Sequence, residues 1–312
     1  MIDIPIKIIQ DDETAFETNL GSDTACIGTF DGMHLGHQAL LNRTYDFGNK
    51  KYSVVSFDEL PQKILNNSKY QVLTSNSLKE SLIKEHKASC ILYFNFLNIK
   101  DMDPKSFCIV LSKKYGIKKI VVGNDFKFGK NRLGDTKYLK QFFGNNNVKI
   151  VPKKKVLGMK VSSSLIREYL SNGNIELVSK FLGRPYSLEG EVIEGNALGR
   201  TIGFPTANLN INKNYRIPQN GVYVVRVKIY PLSNSHYGMM NIGNRPTVSS
   251  SEKINVEVNI FDFDSNIYDA TLIVDLISFI REEIKFNDID ELKLQLNIDK
   301  QSAIKKLKTL HY

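Results

Sequence analysis

The chain is poor in proline, with 9 in 312 residues, and shows no internal repeat and no long linker, which excludes collagen-like, low-complexity and disordered classes. It has only three cysteines, Cys26, Cys90 and Cys108, an odd set without a C-x-x-C pair. That excludes a disulfide framework and a thiolate zinc site and points to a reducing cytoplasm. No run approaches the roughly 18 apolar residues that cross a bilayer. The opening MIDIPIKIIQ carries Asp3 and Lys7 where an export signal would keep an unbroken apolar segment, so a cytoplasmic protein with no membrane association is expected. A concentrated basic arm is also lacking. The net charge is +9, but Lys and Arg are scattered, and the densest cluster, Lys153-Lys154-Lys155, reads as a solvated turn. Charge alone leaves nucleic acid, a membrane surface and a phosphorylated small molecule all open.

What the chain does have is a globular composition, 42% hydrophobic and 24% charged. Its length suits two domains of roughly 100 to 200 residues each. Residues 24–30, 52–57, 89–94, 118–123 and 147–152 are continuous apolar runs of strand length. Helical patterns lie between them near 34–49, 76–87 and 104–115, the last opened by Asp103 as cap and Pro104 as first-turn residue. Strand-helix alternation predicts an α/β domain with a parallel sheet, whose ligand sits beyond the carboxyl ends of the strands. Two short helices, 163–173 and 174–183, follow. From about residue 186 six short alternating strands predict a small antiparallel β-barrel. A closing helix carries Ile289, Leu292, Leu296, Ile304 and Leu307 at helical spacing. The boundary is expected at 183/184, giving domains 1–183 and 184–312.

Three strings in the first half suit phosphate. Asp31-Gly32-Met33-His34-Leu35-Gly36-His37 is a glycine turn leading from a strand into a helix, with two imidazoles three residues apart and free N–H groups for an anion. Zinc is the competing reading, but five histidines in the chain and no nearby further ligand leave it without a ligand set. The second string runs from Gly123 through Asp125, Phe126 and Gly129 to Arg132, Gly134 and Asp135; its spacing, and Asn131 where Ser or Thr is required, exclude a Walker motif. The third, from Val161 to Arg167, sets hydroxyls at a helix start and an Arg one turn in. Plain helix capping is the better account of that string in isolation.

In the barrel half, GEVIEGNALGRTIGFPTANL carries Gly195, Gly199 and Gly203, which permit close approach to phosphate. Thr206 and Asn208, two apart on a strand, project oxygen ligands to one side, as Mg²⁺ prefers. A glycine-rich turn followed by a polar strand face is the plainer alternative. Glu257 alternates with Val256, Val258 and Ile260 and so lies on the opposite strand face, where it is either solvated or able to take a proton from an alcohol attacking phosphorus.

The ordered strings GTFDGMHLGH, VVGNDFKFGKNRLGD and VSSSLIREYLSNGNIELVSKFLGRPY resemble the HxGH nucleotidyltransferases, and among them the adenylyltransferase module of the prokaryotic bifunctional riboflavin kinase/FAD synthetase family. The stretch from Gly190 to Leu209 is similar to the riboflavin kinase signature of the same family, so the resemblance spans the chain. It implies catalytic roles for His34, His37, Arg167 and Glu257. It implies nucleotide contacts from Gly28, Phe30, Asp31, Gly32, Gly123, Asp125, Phe126, Ser163, Ser164, Gly195, Gly199, Arg200 and Gly203, and flavin contacts from Arg281 and Glu283 beside Glu282. Mg²⁺ on Thr206 and Asn208 is the implied cofactor, with riboflavin, FMN and ATP as small-molecule substrates. No nucleic-acid partner is expected, and the chain is expected to be a monomer or weak homo-oligomer. Two departures stand out. Glu59-Leu60-Pro61 replaces the family's usual Pro-His-Pro, implying a lost imidazole and an added charge near the adenylyl site, and Tyr268-Asp269 replaces Tyr-Gly. The first leaves open a kinase with a weak or inactive adenylyltransferase half; a flavin- or RNA-binding regulator on the same fold is the other alternative.

Overall fold

A computed structural model describes residues 6–11, 17–65, 70–195, 198–230, 234–245 and 253–310. The chain forms two compact units, Met1–Ser163 and Ser164–Tyr312. In the first, the elements run β1 (Lys7–Gln10), β2 (Thr24–Ile27), α1 (Leu35–Phe47), β3 (Ser53–Phe57), α2 (Pro61–Leu65), α3 (Asn76–Glu85), β4 (Cys90–Phe94), α4 (Phe96–Ile99) and α5 (Pro104–Ile109). They continue through β5 (Lys119–Gly123), β6 (Lys127–Phe128), β7 (Gly134–Asp135), α6 (Thr136–Phe143), β8 (Val148–Val151), β9 (Lys155–Val156) and β10 (Met159–Lys160).

Six of these strands make one parallel sheet in the order β1-β4-β3-β2-β5-β8. All five expected strands are present. The sixth, β1, is an edge strand of largely exposed residues, and so gives little apolar signal in the sequence. Central strands such as Cys90–Phe94 are buried on both faces, as covered parallel sheets require. Leu92, Leu111, Ile120 and Leu139 pack on one side of the sheet, and Leu41, Val54, Ile83 and Ile91 on the other. The Asp103 carboxylate accepts from the Lys105 and Ser106 amides and so caps α5, whose last turn runs on as a π-helix over Val110–Lys114. The order reverses at β2: β3 lies on one side and β5 on the other. A crevice therefore opens beyond the carboxyl ends of β2 and β5, and the first two phosphate strings follow these strands.

The second unit begins one residue into α7 (Ser163–Ser171), which is followed by α8 (Ile175–Leu182), β11 (Tyr186–Ile193), α9 (Leu198–Thr201), β12 (Ala207–Ile211), β13 (Gly221–Tyr230), β14 (Ser235–Arg245), β15 (Lys253–Ile260), β16 (Thr271–Arg281) and α10 (Ile289–Thr309). The six strands close into an antiparallel barrel in the order β11-β12-β15-β14-β13-β16. Its interior is filled by alternate side chains such as Leu188, Tyr223, Val225, Met240 and Val258, all 0–1% exposed. On the outside, α10 lays Ala303 and Leu307 over Val222, Val224, Met239 and Ile277, with Leu296 alongside. Ile289, expected on the apolar stripe of this helix, is instead exposed, and Asp299 is buried.

The compact units divide earlier than the expected 183/184 boundary, because α8 packs on the barrel. Val178, Phe181 and Leu182 are fully buried, and the Glu176 carboxylate accepts a 2.6 Å hydrogen bond from the Ser278 hydroxyl of β16.

Candidate active sites

The loop after β2 is shaped by backbone rather than by glycine alone. Phe30, Gly32 and Met33 all have φ between 43° and 86°, a left-handed path that turns the chain sharply into α1. It is fixed from behind. The Leu73 amide donates to the Asp31 carboxylate, the Gly32 amide to the Thr74 hydroxyl, and the Ser163 hydroxyl to the Asp31 carbonyl, all at 2.8–2.9 Å. Phe30, Asp31 and Gly32, expected to contact nucleotide, are buried supports of the loop behind the residues that line the cavity.

That cavity has a volume of about 830 Å³ and is lined by Gly28, His34, His37, Gly123, Asp125, Phe126 and Ser163 among others, so strings far apart in sequence meet at the crevice. His34 caps α1, its Nδ1 accepting from the His37 amide at 3.2 Å, which places its proton on Nε2. The two imidazoles stack with centroids 3.7 Å apart and an interplanar angle of 8°. Burial pushes His34 down to about 4, and burial together with His34 holds His37 well below its ordinary value. Both rings are thus neutral hydrogen-bonding groups at neutral pH. Positive charge comes from the wall, where Lys100, Lys127, Lys130, Arg132, Lys153 and Lys154 outnumber Asp101 and Asp125. Lys153 and Lys154 are exposed, as the reading of that triplet as a solvated turn expects, and also border this cavity; Lys153 bonds Asp125 at 2.8 Å.

The second string divides its labour. Gly134 lies against the Phe128 ring, where a Cβ would collide, and Asp135 caps α6 by accepting from the Lys137 and Tyr138 amides at 3.0 Å. Neither lines the cavity, whereas Gly129 and Arg132 do. The departure at Glu59-Leu60-Pro61 borders this cavity, as expected, through Pro61. Leu60 is only 7% exposed and is turned into the protein, while exposed Glu59 pairs with Lys63 at 3.0 Å. What this segment gives the cavity wall is Pro61, Gln62 and Leu65. Ser164 and Arg167 stand on the first turns of α7, in the second unit.

A second cavity, of about 280 Å³, lies on the outer face of the barrel. Antiparallel register builds it: Asn208 of β12 pairs with Glu257 of β15, Glu257 with Asn241 of β14, Asn241 with Val222 of β13, and Val222 with Arg281 of β16. These five residues form one row across five strands and all line the cavity, as do Thr206, Gly199 and Asn259. The sequence-based face for Glu257 is thus the observed one. A Cβ at Gly195 would run into the Asn208 side chain, and one at Gly199 into the Phe204 carbonyl, so both glycines permit a close approach of this loop to the strand. The Asn259 amide ties β15 to the same loop through the Pro205 carbonyl at 2.7 Å. Arg200 and Gly203 are exposed outside the cavity lining.

Arg281 lines this cavity, but its charge is already answered. Its Nε and Nη2 donate to Asp299 of α10 at 2.7–3.0 Å, and Asp299 is 1% exposed. The guanidinium therefore offers the cavity a planar face near Phe286 rather than a free cation. Glu283 accepts from the Asn220 amide at 3.1 Å and packs beside Gly243. Sequence reasoning missed Asn241, Asn255 and Asn259, since single asparagines on strands carry no signal until register makes them neighbours.

Residues 17–165 match the model of the FAD synthetase family and residues 182–307 that of the riboflavin kinase family. A bifunctional riboflavin kinase/FMN adenylyltransferase of Buchnera aphidicola subsp. Schizaphis graminum is 37% identical over 88% of this chain and 90% of its own length. One from Bacillus subtilis is 35% identical over 89% and 90%. The crystal structure of a Streptococcus pneumoniae protein described as a macrolide-efflux protein superposes with a TM-score of 0.85 at 31% identity, covering 96% of this chain and 99% of that one. Among the described residues here, no helix is long and apolar enough to cross a membrane. With both family models matched in order and relatives aligned along almost their whole length, the chain belongs to the bifunctional riboflavin kinase/FMN adenylyltransferase family.

Proposed function

We propose that this protein makes FAD in two steps, phosphorylating riboflavin in the barrel cavity and adenylylating the resulting FMN in the first unit's cavity. The observation that carries the reading is the separation of two cavities, one built by the Asn208-Glu257-Asn241 row and one by the His34-His37 stack, each within one matched family model. In the barrel, Glu257 takes the proton of the riboflavin 5'-hydroxyl as that oxygen attacks the γ-phosphorus of ATP, giving FMN and ADP. Thr206 and Asn208 are hard oxygen donors beside Glu257 in the same cavity, a donor set that fits Mg²⁺. The ion would offset phosphate charge there. In the first unit, the FMN phosphate attacks the α-phosphorus of a second ATP and releases pyrophosphate. His34 through its Nε2–H, the Ser163 hydroxyl and the lysine-rich wall hold phosphate oxygens in place before charge develops. The phosphate-binding role of Ser164 and Arg167 rests on the family resemblance alone. The free, buried Cys26, Cys90 and Cys108 favour work in the cytoplasm.

The test is to incubate the protein with riboflavin, ATP and Mg²⁺ and to separate the flavins. FMN followed by FAD is expected, and Glu257→Ala should slow the first step by about 10²- to 10⁴-fold while added FMN is still converted to FAD. FMN as sole product would remove the second activity; no phosphorylated flavin would remove the first, and no FAD from added FMN and ATP would remove the second.

A further inference from the structure

We infer that Asn255 is a positioning residue of the kinase cavity, its side-chain amide holding one carboxylate oxygen of Glu257 so that the other is presented to the substrate hydroxyl. The inference rests on the reading of Glu257 as the base. Asn255 and Glu257 are two apart on β15 and share its outer face, and Nδ2 of Asn255 lies 2.7 Å from Oε1 of Glu257. An ionised carboxylate only accepts hydrogen bonds, so the amide nitrogen must be the group turned toward it. Across the sheet Asn255 pairs with Gly243 of β14, which has no side chain to compete for the space. Beyond Gly243 the other cavity carboxylate, Glu283, is held in the same manner by the Asn220 amide. Both carboxylates are thus oriented by neutral donors. A lysine or arginine in the place of Asn255 would draw the same oxygen but neutralise the charge that a base needs, whereas an amide fixes geometry and leaves the charge in place.

The experiment uses the full chain with Asn255→Ala, Asn255→Asp, Glu257→Gln and the Asn255→Ala/Glu257→Gln pair, each followed by riboflavin phosphorylation and by FMN adenylylation. Asn255→Ala removes no backbone ladder bond and is expected to lower kcat for the kinase about 10-fold or more, with KM for riboflavin and ATP within about twofold. Asn255→Asp keeps the size but has no donor, and is expected to lose at least as much. In the Glu257→Gln background, Asn255→Ala should cause no further loss, because its effect passes through Glu257. FMN adenylylation should stay at wild-type rate throughout. Wild-type kcat in either single Asn255 variant, a loss confined to KM, or an undiminished further loss in the pair would overturn the inference. If Glu257→Gln itself kept wild-type kinase activity, the base assignment would fall and the inference with it; if Glu257→Gln is inactive and Asn255→Ala keeps wild-type kcat, the positioning role alone falls.

Discussion

At His34 a single backbone hydrogen bond decides the chemistry. Because Nδ1 is occupied by the His37 amide and the ring is buried, the imidazole is kept neutral with its proton on Nε2. The same burial has a cost at low pH. The folded His34 titrates at about 4, against about 6.5 in the unfolded chain. As pH falls from about 6.5 towards 4, the unfolded state takes up a proton that the folded state does not, so stability must fall, by up to about 1.4 kcal/mol per pH unit for each such histidine. His37 acts in the same direction. Thermal unfolding between pH 4.5 and 7.5 should therefore show a smaller decline in His34→Gln/His37→Gln than in the wild type, with His86, shifted the same way, leaving a residual slope. Equal declines would show that these rings are not held neutral. The two histidines were legible in the sequence because they act within one local turn. The amide partners of Glu257 and Glu283 were not, since Asn255 reads as any polar strand residue, and Asn220 reaches Glu283 only because β13 and β16 are paired.

Among the elements, the β15–β16 connection shows where a local departure matters. Asp269 has φ of 62°, so the position where the family usually shows glycine is left-handed in this chain. Asp tolerates this region better than most residues, but a β-branched side chain does not. Asp269→Gly should leave stability within about 0.5 kcal/mol, its relief of strain offset by greater freedom of the unfolded chain, whereas Asp269→Val should lose more than about 1 kcal/mol. Calorimetric unfolding of the two variants checks the order; a valine variant as stable as the glycine variant would contradict the left-handed turn. Most elements of this chain could be read in advance because their periodicities are clean: apolar runs for the buried parallel strands, alternation for the barrel. The edge strand β1 escaped because three of its four residues are exposed and belong to no buried apolar run, and the stripe of α10 was misplaced at Ile289, which is exposed at the helix start, while Asp299 is buried and held by Arg281.

For the whole molecule, the position of α8 sets what can be cut. A barrel beginning at Arg184 would lose Val178, Phe181 and Leu182 from its packing and leave the Ser278 hydroxyl without Glu176, a loss of several kcal/mol at about 25 cal/mol per Å² of apolar surface. A fragment of residues 164–312 should therefore fold and phosphorylate riboflavin, while one of residues 184–312 should melt at a markedly lower temperature; equal melting points would show that α8 adds nothing to the barrel. The central claim, two independent active sites in one chain acting in order, is tested most directly by mixing two crippled full-length proteins, Glu257→Gln and His34→Ala/His37→Ala, with riboflavin, ATP and Mg²⁺. The first alone should make almost no FMN or FAD, and the second alone should stop at FMN. The mixture should make FAD, since FMN released by the second is adenylylated by the first. A mixture that makes no FAD, while Glu257→Gln still converts added FMN, would show that the intermediate cannot pass between molecules; FAD from riboflavin by either variant alone at the wild-type rate would contradict the account.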